Sequence, residues 1–297
     1  MKKKELFIII LNYNNAEDTL LCVDSLKKIK DYQLNIILVD NNSKKECIDK
    51  IESALDNDVV ILKNSVNSGY AAGNNIGIQY ALDKGAEYIV VLNNDVIVNE
   101  NSLAPCIRIL EENTDIAIVG PAIVDYGSGK LQSTGATIDF KRISTPLINY
   151  GLEYIQLNQI IDCDYVGGAC MVFKASLIQQ IGLLPENYFL FWEEVEWCYR
   201  AKKKGLRIVC EMASYVKHKG SATINKISGL SSYYMERNKI IFAKRNAPNF
   251  LYFIWSVIYL FLKTIYKAVR YDKKYLAFIM YYFDGLIGKD RIDRGRL

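Results

Sequence analysis

The first 120 residues alternate between two hydrophobic patterns, and this alternation limits the fold more than any other feature of the chain. Short apolar runs that predict strands are separated by longer segments whose apolar residues recur at helical spacing. The predicted strands are residues 6–11, 35–40, 59–62, 88–92 and 116–119, and the helices between them are residues 15–30, 44–55, 70–84 and 100–112. Parallel strands joined by right-handed helical crossovers satisfy this pattern. We therefore expect an α/β fold with a Rossmann-like, doubly wound, mostly parallel sheet and helices on both faces.

Beyond residue 120 the alternation ends. Residues 125–139 contain Gly and Thr and suggest an antiparallel hairpin, and residues 165–173 suggest a further strand. Its paired glycines, Gly167 and Gly168, would let a ligand or another backbone approach closely. We expect one catalytic domain over residues 1–225 and a helical C-terminal segment over residues 226–297.

Polar side chains follow the predicted strands at the point where each strand ends. Asn12 to Asn14, Asp40 to Ser43, Asn64 to Gly69 and Asn93 to Asp95 form short polar loops. The carboxyl ends of parallel strands meet at one sheet edge, where open α/β sheets bind their ligands. Asn and Asp also favour turns and helix caps, but four such loops at one edge predict a site for a charged ligand.

Composition narrows the setting of this site. With 297 residues and 51% hydrophobic composition, the chain can bury a large core. Its seven cysteines are scattered and never spaced as Cys-x-x-Cys, and no signal-peptide pattern precedes them. We expect reduced cysteines in the cytoplasm rather than disulfides or zinc ligands.

The positive charge is concentrated at the C-terminus. The whole chain has a net charge of +4, whereas Lys263 to Leu297 alone hold nine Lys and Arg against four Asp. Just before them, Phe250 to Leu262 form thirteen residues without a charge, fewer than the roughly 18 to 20 a spanning helix needs. Aromatic helices beside basic residues suit the surface of an anionic membrane. The alternative is a helical hairpin that packs on the main domain or on a second copy of the chain, as in a homodimer.

Six motifs appear in an order that resembles a known family. They are Asn12-Tyr13-Asn14, Val39-Asp40-Asn41-Asn42-Ser43, the segment from Asn67 to Asn75, Leu92-Asn93-Asn94-Asp95, the segment from Trp192 to Glu196, and His218-Lys219-Gly220-Ser221. Together they resemble the family 2 glycosyltransferases of GT-A fold, especially the bacterial rhamnosyltransferase-like branch. The resemblance covers roughly residues 5 to 245 and implies an inverting transfer of a sugar from a nucleotide-sugar donor.

The resemblance implies a donor site at the first motifs. Asp40 would accept a hydrogen bond from uracil or thymine, and the ring of Tyr13 would lie against the base. Asn67 and Gly73 would lie close to the nucleotide, and Asn94 belongs to the same donor-binding set. Without the resemblance, Asp40 reads equally as a turn or helix-cap residue, and Tyr13 as ordinary packing.

The resemblance also implies a divalent cation, Mg²⁺ or Mn²⁺, on the donor diphosphate. Asp95 would hold it, although Asn93 replaces the first acid of the commoner Asp-x-Asp pattern. An amide is a weaker ligand, so His218, the only histidine in the chain, is assigned as the second ligand. A lone histidine is by itself more often a structural residue.

Acidic residues after Trp192 are the candidates for the general base. The family usually has Glu-Asp there, its Asp corresponding to Glu194, and Glu193 remains the alternative. Neighbouring carboxylates repel each other, so one pKa should rise toward a range useful for proton abstraction. Alternatively, Glu193 is an exposed acid at a helix N-terminus. Glu196 would pair with Arg200 one turn on.

Arg237 falls where the family often has an Arg-Asn pair. Its guanidinium would bind the departing diphosphate, or it would be an ordinary surface helix residue. Both interpretations stay open at this point.

These observations predict a metal-dependent glycosyltransferase that uses a pyrimidine nucleoside-diphosphate sugar. The acceptor would be a saccharide, in the form of a lipid-linked saccharide at the inner face of a bacterial membrane during surface polysaccharide assembly. Two alternatives are a sugar-nucleotide-binding protein without catalysis and a sugar-phosphate nucleotidyltransferase, although the latter would need a Gly-rich basic loop after the first strand. A dehydrogenase lacks its Gly-x-Gly-x-x-Gly, and the basic residues adjoin apolar helices rather than a patch for nucleic acid.

Overall fold

The computed structural model describes residues 3–220 and 229–290. Its centre is a ten-stranded sheet with the order β3-β2-β1-β4-β9-β6-β10-β5 among the strands described, with β7 paired to β6 and β8 paired to β10. The strands are β1 (Glu5–Asn12), β2 (Gln33–Asp40), β3 (Val59–Lys63), β4 (Tyr88–Asn93), β5 (Val96–Ile97), β6 (Ile116–Asp125), β7 (Leu131–Ser133), β8 (Ile160–Cys163), β9 (Cys170–Lys174) and β10 (Arg207–His218).

Helices connect and cover these strands. They are α1 (Ala16–Leu26), α2 (Lys45–Ala54), α3 (Gly69–Asp83), α4 (Ala104–Glu112), α5 (Leu177–Ile181), α6 (Glu193–Lys203), α7 (Leu230–Asn246), α8 (Phe250–Arg270) and α9 (Ala277–Ile287), with a 3-10 helix at Lys273–Leu276. Most predicted elements are confirmed with shifts at their ends. For example, α4 begins at Ala104 rather than residue 100, since Pro105 stands in its first turn.

The predicted α/β class is confirmed, and the strand directions divide the sheet into two parts. Strands β3, β2, β1 and β4 are parallel, as the alternating pattern predicts. Beyond β4 the pairing is mixed, because β9 is antiparallel to both β4 and β6 while β10 is parallel to β6. The predicted strand at residues 165–173 is wrong in its first half: β9 begins at Cys170, after a turn that contains Gly167 and Gly168.

Both faces of the sheet are buried, as expected for a doubly wound fold. Along β1, Phe7 and Ile9 belong to one apolar cluster, whereas Leu6, Ile8 and Ile10 belong to the other. This alternation follows from the two-residue period of a strand. Each face of the sheet thus packs against its own layer of helices. The parallel register of β1, β2 and β4 places their carboxyl ends next to each other at one edge of the sheet.

The C-terminal helices share the core of the main domain. Phe242 of α7, Leu260 of α8 and Tyr282 of α9 belong to the same cluster as Trp192 and Trp197. The Ser256 hydroxyl in α8 donates to the Phe140 carbonyl at 2.7 Å. These contacts support packing on the main domain. The division at residue 226 stays a prediction, and residues 226–228 lie outside the described part.

One face of α8 is left uncovered by residues 3–220 and 229–290. Leu251, Trp255 and Leu262 are 77%, 57% and 63% exposed. The helix is 21 residues long because it continues past Lys263, so the thirteen-residue uncharged stretch understates its length. Among the described helices, α8 alone is long and apolar enough to cross a membrane, a criterion that the core helix of a soluble protein also meets.

Candidate active site

Strand register brings the polar loop residues together at one edge of the sheet. Asn12 pairs in register with Asp40 on β2, and Leu11 pairs with Asn93 on β4. The Asn12 amide donates to Asp40 Oδ1 at 2.8 Å, and its carbonyl oxygen accepts from Thr19 Oγ1 at 2.9 Å. Asn12 is fully buried. It therefore joins the ends of β1 and β2 to the first turns of α1.

Asp40 has the turn role that its sequence setting allows. Its Oδ2 accepts from the backbone N–H of Ser43 at 3.0 Å, while Oδ1 accepts from Asn12. The carboxylate is almost completely buried. Each oxygen retains a second lone pair, so a contact with the nucleoside base stays a prediction. Tyr13 follows β1 as a half-buried side chain, and its stacking role also stays a prediction.

Asn67 and Gly73 have structural roles in the neighbouring loop and helix. The Asn67 side-chain oxygen accepts from the Asn41 amide at 2.9 Å and from the Gly69 N–H at 3.1 Å. A Cβ at Gly73 would lie 2.5 Å from Leu11 Cδ1. Close packing of α3 on β1 thus explains this glycine. Nucleotide contacts by either residue remain predictions.

Asn94 and Arg237 use their donors within the protein. The Asn94 amide donates to Thr19 Oγ1 at 2.9 Å. Arg237 donates from Nε to the Lys289 carbonyl at 2.7 Å and from Nη1 to the Asn238 side chain at 2.8 Å. Arg237 is buried, so the surface-residue interpretation is wrong. A diphosphate contact would have to come from its remaining N–H groups and stays a prediction.

The two predicted metal ligands lie next to each other. Strand β5, which the sequence did not predict, pairs antiparallel with the end of β10 and sets Val96 opposite His218. Asp95 Oδ1 consequently lies 3.2 Å from His218 Nε2. This oxygen is buried and has no hydrogen bond. The two atoms are close enough for one, but their relative orientation is unsuitable.

The surroundings of this pair were not anticipated from the sequence. Gln132 Oε1 lies 2.7 Å from His218 Nδ1, on the side of the ring opposite Asp95. The backbone N–H of Lys219 donates to the Asp95 carbonyl at 3.1 Å. The Lys219 ammonium pairs with Asp18 at the start of α1. Ser221, the last residue of the motif, lies outside the described residues.

The donor set fits a divalent cation. A buried carboxylate oxygen without a hydrogen bond costs free energy unless a cation or proton meets it, and carboxylate and imidazole together suit Mn²⁺. No three His, Cys, Asp or Glu side chains within residues 3–220 and 229–290 come together as a ready cage. A two-ligand site leaves coordination positions for phosphate oxygens and water.

A constrained turn holds the two candidate bases. Phe191 and Trp192 have φ of 66° and 77°, in the left-handed region that side chains rarely adopt. The Asn238 amide donates to the Leu190 and Phe191 carbonyls at 2.8 and 3.0 Å. Trp192 caps α6, so Glu193 and Glu194 are its first two residues.

Glu193 and Glu194 do not form an exposed first turn, because Glu193 is buried and Glu194 is half-buried. Glu193 is 3% exposed, and Oε2 of each carboxyl is buried without a hydrogen bond. Burial, with the charge of Glu194, raises the pKa of Glu193 well above its ordinary value. Burial also raises the pKa of Glu194, against hydrogen bonds from backbone N–H groups of the helix start. The predicted rise is confirmed in direction, but burial rather than repulsion is its main cause.

Glu196 is a structural acid. Although burial by itself raises its pKa, hydrogen bonds from Arg245, Tyr188 and Arg200 lower that pKa to about 2. The predicted pair with Arg200 is confirmed at 2.7 Å, and Arg245 adds a second ion pair at 2.9 Å. Glu196 therefore fixes α6 to α7 and is not available as a base.

Tyr70 links the acids of the two halves of the site. Its backbone N–H donates to the Phe189 carbonyl at 2.9 Å, and its hydroxyl donates to the Gly168 carbonyl at 2.7 Å. Burial raises the pKa of this hydroxyl well above its ordinary value, and the charges of Glu194, Glu193, Cys170 and Asp95 add to the rise. Tyr70 is thus near enough to the base candidates and to Asp95 for their charges to act on its hydroxyl. It was part of a sequence motif but was not predicted as a site residue.

Comparisons with known proteins identify the family of the chain. The model of the family described as glycosyl transferase family 2 matches residues 7–181. The low-salt glycan biosynthesis hexosyltransferase Agl10 of Haloferax volcanii is 27% identical over 241 residues, which cover 80% of this chain and 75% of that protein. The dTDP-rhamnosyl transferase RfbF of Shigella flexneri is 22% identical over 313 residues, 96% of this chain and 98% of the relative.

Solved structures confirm the GT-A type of fold. The mannosyltransferase PcManGT from Pyrobaculum calidifontis, in complex with GDP-Man and Mn²⁺, has a TM-score of 0.61 at 11% identity over 98% of this chain and 89% of that chain. GalNAc-T7 with UDP, GalNAc and Mn²⁺ has a TM-score of 0.59 at 16% identity over 83% of this chain and 52% of that chain. The family match, these folds and the curated relatives agree with the resemblance to the rhamnosyltransferase-like branch. The chain therefore belongs to glycosyl transferase family 2 and is a glycosyltransferase that takes its sugar from a nucleotide-sugar donor.

Proposed function

We propose that this protein transfers a hexose, with inversion, from a pyrimidine nucleoside-diphosphate sugar to a hydroxyl of a saccharide acceptor. Asp95 and His218 would hold a divalent cation, which would supply positive charge for the diphosphate, and Glu194 is the general base. The cation would lower the free energy of the departing nucleoside diphosphate by taking up its charge.

A single observation carries the proposal. A buried carboxylate oxygen of Asp95 lies 3.2 Å from an imidazole nitrogen without a hydrogen bond. Glu193 and Glu194, two acids with raised pKa, act together with Asp95 on the pKa of the Tyr70 hydroxyl. Sugar transfer needs both a place for negative diphosphate charge and a nearby base. An isolated structural cluster would have satisfied these oxygens with internal hydrogen bonds, as Glu196 does.

The reaction in this site divides between two groups of residues. Asp95 and His218 would hold the cation at the place where the diphosphate binds. Glu194 accepts the proton of the acceptor hydroxyl. The hydroxyl oxygen attacks the anomeric carbon of the donor, and the bond between this carbon and the diphosphate oxygen breaks. Glu193, whose pKa is raised more strongly, keeps its proton and lowers the charge beside Glu194.

A thymidine diphosphate sugar is the first donor to test. Asp40 supplies an acceptor of the kind that the N3 proton of thymine or uracil requires, and Tyr13 directly follows Asn12, which pairs in register with Asp40. RfbF, which matches almost the whole chain, is described as a dTDP-rhamnosyl transferase. We propose dTDP-rhamnose as the donor, with UDP-hexoses as the second choice.

The acceptor is proposed to be a lipid-linked saccharide at an anionic membrane surface, during surface polysaccharide assembly. The exposed apolar face of α8 includes Leu251, Trp255 and Leu262, and the last two turns carry Lys263, Lys267 and Arg270. Apolar contact together with attraction to anionic lipid is the usual basis of peripheral binding. Leu260 of α8 belongs to the same apolar cluster as Phe242 of α7 and Trp192. The ring centroid of Phe242 is 5.1 Å from that of Trp192, in the turn that carries the candidate bases.

The function is tested by donor binding and donor consumption. dTDP-rhamnose, UDP-glucose, UDP-galactose and GDP-mannose are each screened by thermal shift with Mn²⁺, because a bound donor raises the melting temperature in proportion to its affinity. The preferred donor is then incubated with Mn²⁺ and a saccharide acceptor, and release of the nucleoside diphosphate is followed by chromatography. We expect stabilisation by dTDP-rhamnose, release of dTDP, and loss of both on adding EDTA.

Other outcomes favour other functions. Stabilisation by a donor without transfer or hydrolysis would mean that the protein only binds sugar nucleotides. A preference for GDP-mannose would overturn the pyrimidine assignment of Asp40. Activity unchanged by EDTA would remove the cation from the proposal.

A further inference from the structure

We propose that Gln132 is a positioning residue that fixes the tautomer of His218 and so presents the lone pair of Nε2 to the cation. The inference rests on the proposed cation site and concerns a residue outside every sequence motif. Gln132 lies on β7, in the hairpin that follows β6.

The orientation of the Gln132 amide follows from its partners. Its nitrogen lies 3.0 Å from the His218 carbonyl and 3.1 Å from Asp125 Oδ2. A backbone carbonyl can only accept a hydrogen bond, and so can an ionised carboxylate. The group that faces both must therefore be the NH₂, and the opposite end of the amide must be the oxygen.

This orientation determines where the imidazole proton lies. Gln132 Oε1 is 2.7 Å from His218 Nδ1 and can only accept. Nδ1 therefore carries the hydrogen, and Nε2 of the neutral ring has a free lone pair. That lone pair faces Asp95 Oδ1, another acceptor, at 3.2 Å without a hydrogen bond.

Two acceptors at this distance repel each other unless a cation lies between or beside them. The opposite tautomer would place a hydrogen on Nε2, and this nitrogen would then have no lone pair for the cation. Gln132 excludes that tautomer by accepting from Nδ1–H. Partners of this kind on the far nitrogen of metal-binding histidines typically change metal affinity about 10- to 100-fold.

The strand arrangement makes Gln132 rigid enough for this role. His218 is paired in register with Val96 on β5 and with Asp125 on β6. Gln132 bonds both the backbone and the ring of His218, so its amide is held at three points: the ring Nδ1, the His218 carbonyl and Asp125. Rotation of the imidazole about its Cβ–Cγ bond would break the contact with Oε1.

The experiment uses the full chain labelled with ¹⁵N and has two readouts. Because His218 is the only histidine, its ring nitrogens are identified in a long-range ¹H–¹⁵N spectrum without assignment. In metal-free wild type we expect Nδ1 protonated and Nε2 unprotonated. Mn²⁺ added with UDP should then broaden the ring resonances at low Mn²⁺ concentration, because the paramagnetic ion binds beside them.

Three variants separate positioning from a general structural effect. Gln132→Met keeps the size of the side chain without an acceptor; it should populate the Nε2–H tautomer and require about 10-fold or more Mn²⁺ for the same broadening. Gln132→Glu retains an acceptor for Nδ1–H, so the Nδ1–H tautomer should return. Its second oxygen would lie against the Asp125 carboxylate and the His218 carbonyl, so this variant should also be less stable than wild type. Gln156→Met is the matched control, because the Gln156 amide also donates to β10, at the Ala213 carbonyl 2.9 Å away, without contacting His218.

The outcomes are distinguishable. An Nε2–H tautomer in wild type, or the same tautomer and Mn²⁺ dependence in Gln132→Met as in Gln156→Met, would overturn the inference. Urea unfolding shows whether each variant is folded. If Gln132→Met does not fold, the tautomer of His218 in Gln132→Glu decides whether the inference holds. If both spectra behave as expected but no sugar nucleotide is consumed, the proposed transfer fails while the role of Gln132 holds.

Discussion

Asp95 and His218 come from distant parts of the chain, yet Asp95 Oδ1 and His218 Nε2 lie 3.2 Å apart. The contact depends on strand β5, only two residues long, which pairs Val96 with His218 and Ile97 with Lys217. Because the pairing fixes both backbones, the two side chains are held together without a hydrogen bond between them. Such preorganisation is expected where an ion must bind between them.

Asp95→Asn should remove cation binding without weakening the fold. The replacement keeps the shape but removes the charge, and Asp95 Oδ1 has no hydrogen bond to lose. We expect Mn²⁺ binding to disappear and the transfer rate to fall about 100-fold or more, with an unchanged or higher melting temperature. Asp49→Asn, at an exposed acid paired with Lys45, is the control. Normal Mn²⁺-dependent transfer by Asp95→Asn would contradict the metal assignment.

Glu194→Gln and Glu193→Gln should have different effects on catalysis. Loss of a general base typically lowers turnover about 100- to 10,000-fold, so we expect such a loss for Glu194→Gln with donor affinity unchanged by calorimetry. Glu193→Gln should retain most of the activity, because it mimics the protonated acid. The reverse order of activities would assign the base to Glu193.

Burial raises the pKa of Glu194, so wild-type turnover should fall with decreasing pH at a midpoint above the ordinary glutamate pKa of about 4.3.

Glu193→Gln should stabilise the protein at alkaline pH. Burial raises the folded-state pKa of Glu193, so the folded state binds more protons than the unfolded chain between the two pKa values. Its contribution to stability is complete below the unfolded pKa and is lost as the pH rises through the folded pKa. Glutamine has no such loss. We expect a higher melting temperature than wild type at pH 8 and no difference near pH 4. Each kcal/mol gained in the free energy of unfolding should raise the melting temperature by roughly 2 to 4 °C. A gap that is the same at both pH values would contradict this titration.

Asn238→Ala should loosen the turn that carries the bases. Asn238 is fully buried and its amide donates to the Leu190 and Phe191 carbonyls. The left-handed conformations of Phe191 and Trp192 cost about 1 to 3 kcal/mol each and persist only if neighbours hold them. We expect a lower kcat with unchanged donor affinity. The free energy of unfolding, measured with urea, should fall by about 1 to 3 kcal/mol. Asn246→Ala, on the same helix but bonded to Glu196, should lower stability with a smaller effect on kcat. Equal kcat values in the two variants would argue against a specific role for Asn238.

Trp255 offers a direct test of membrane binding by α8. Trp192 and Trp197 are buried at 2% and 0% exposure, whereas Trp255 is 57% exposed. A blue shift of tryptophan fluorescence on adding phosphatidylglycerol vesicles would therefore report Trp255 entering lipid. We expect this shift at low salt, less of it at high salt because of screening, and little with neutral phosphatidylcholine.

The matched variant for this experiment is Leu251→Ser with Leu262→Ser. Both side chains lie on the exposed face of α8, so vesicle binding should weaken while the fold is retained. If wild type ignores anionic vesicles but elutes as a dimer that this double variant disrupts, the exposed face binds a second copy of the chain.

The sequence was sufficient for the parallel half of the sheet and for the positions of the acids. In β1, β2 and β4, uninterrupted apolar runs end in Asn or Asp, and such runs are typical of strands buried on both faces. Local pattern was insufficient at β5 and β9. Strand β5 has only two residues and therefore no periodicity to detect. Before β9, Gly167 and Gly168 continue the apolar pattern of the sequence, but the strand itself begins only after a turn, at Cys170.

The sequence by itself determined the fold class, the family and which ionisable residues stand at strand ends, because these follow from local hydrophobic spacing and from ordered motifs. Only the tertiary structure decided what each side chain faces. It brought Gln132 to His218 and placed Tyr70 near Asp95, Glu193 and Glu194, whose charges act on its hydroxyl. It also paired Glu196 with two arginines and buried Arg237 against Lys289. The physical reason is that burial and hydrogen-bond partners depend on strand register between distant segments, and no local window of sequence contains that register.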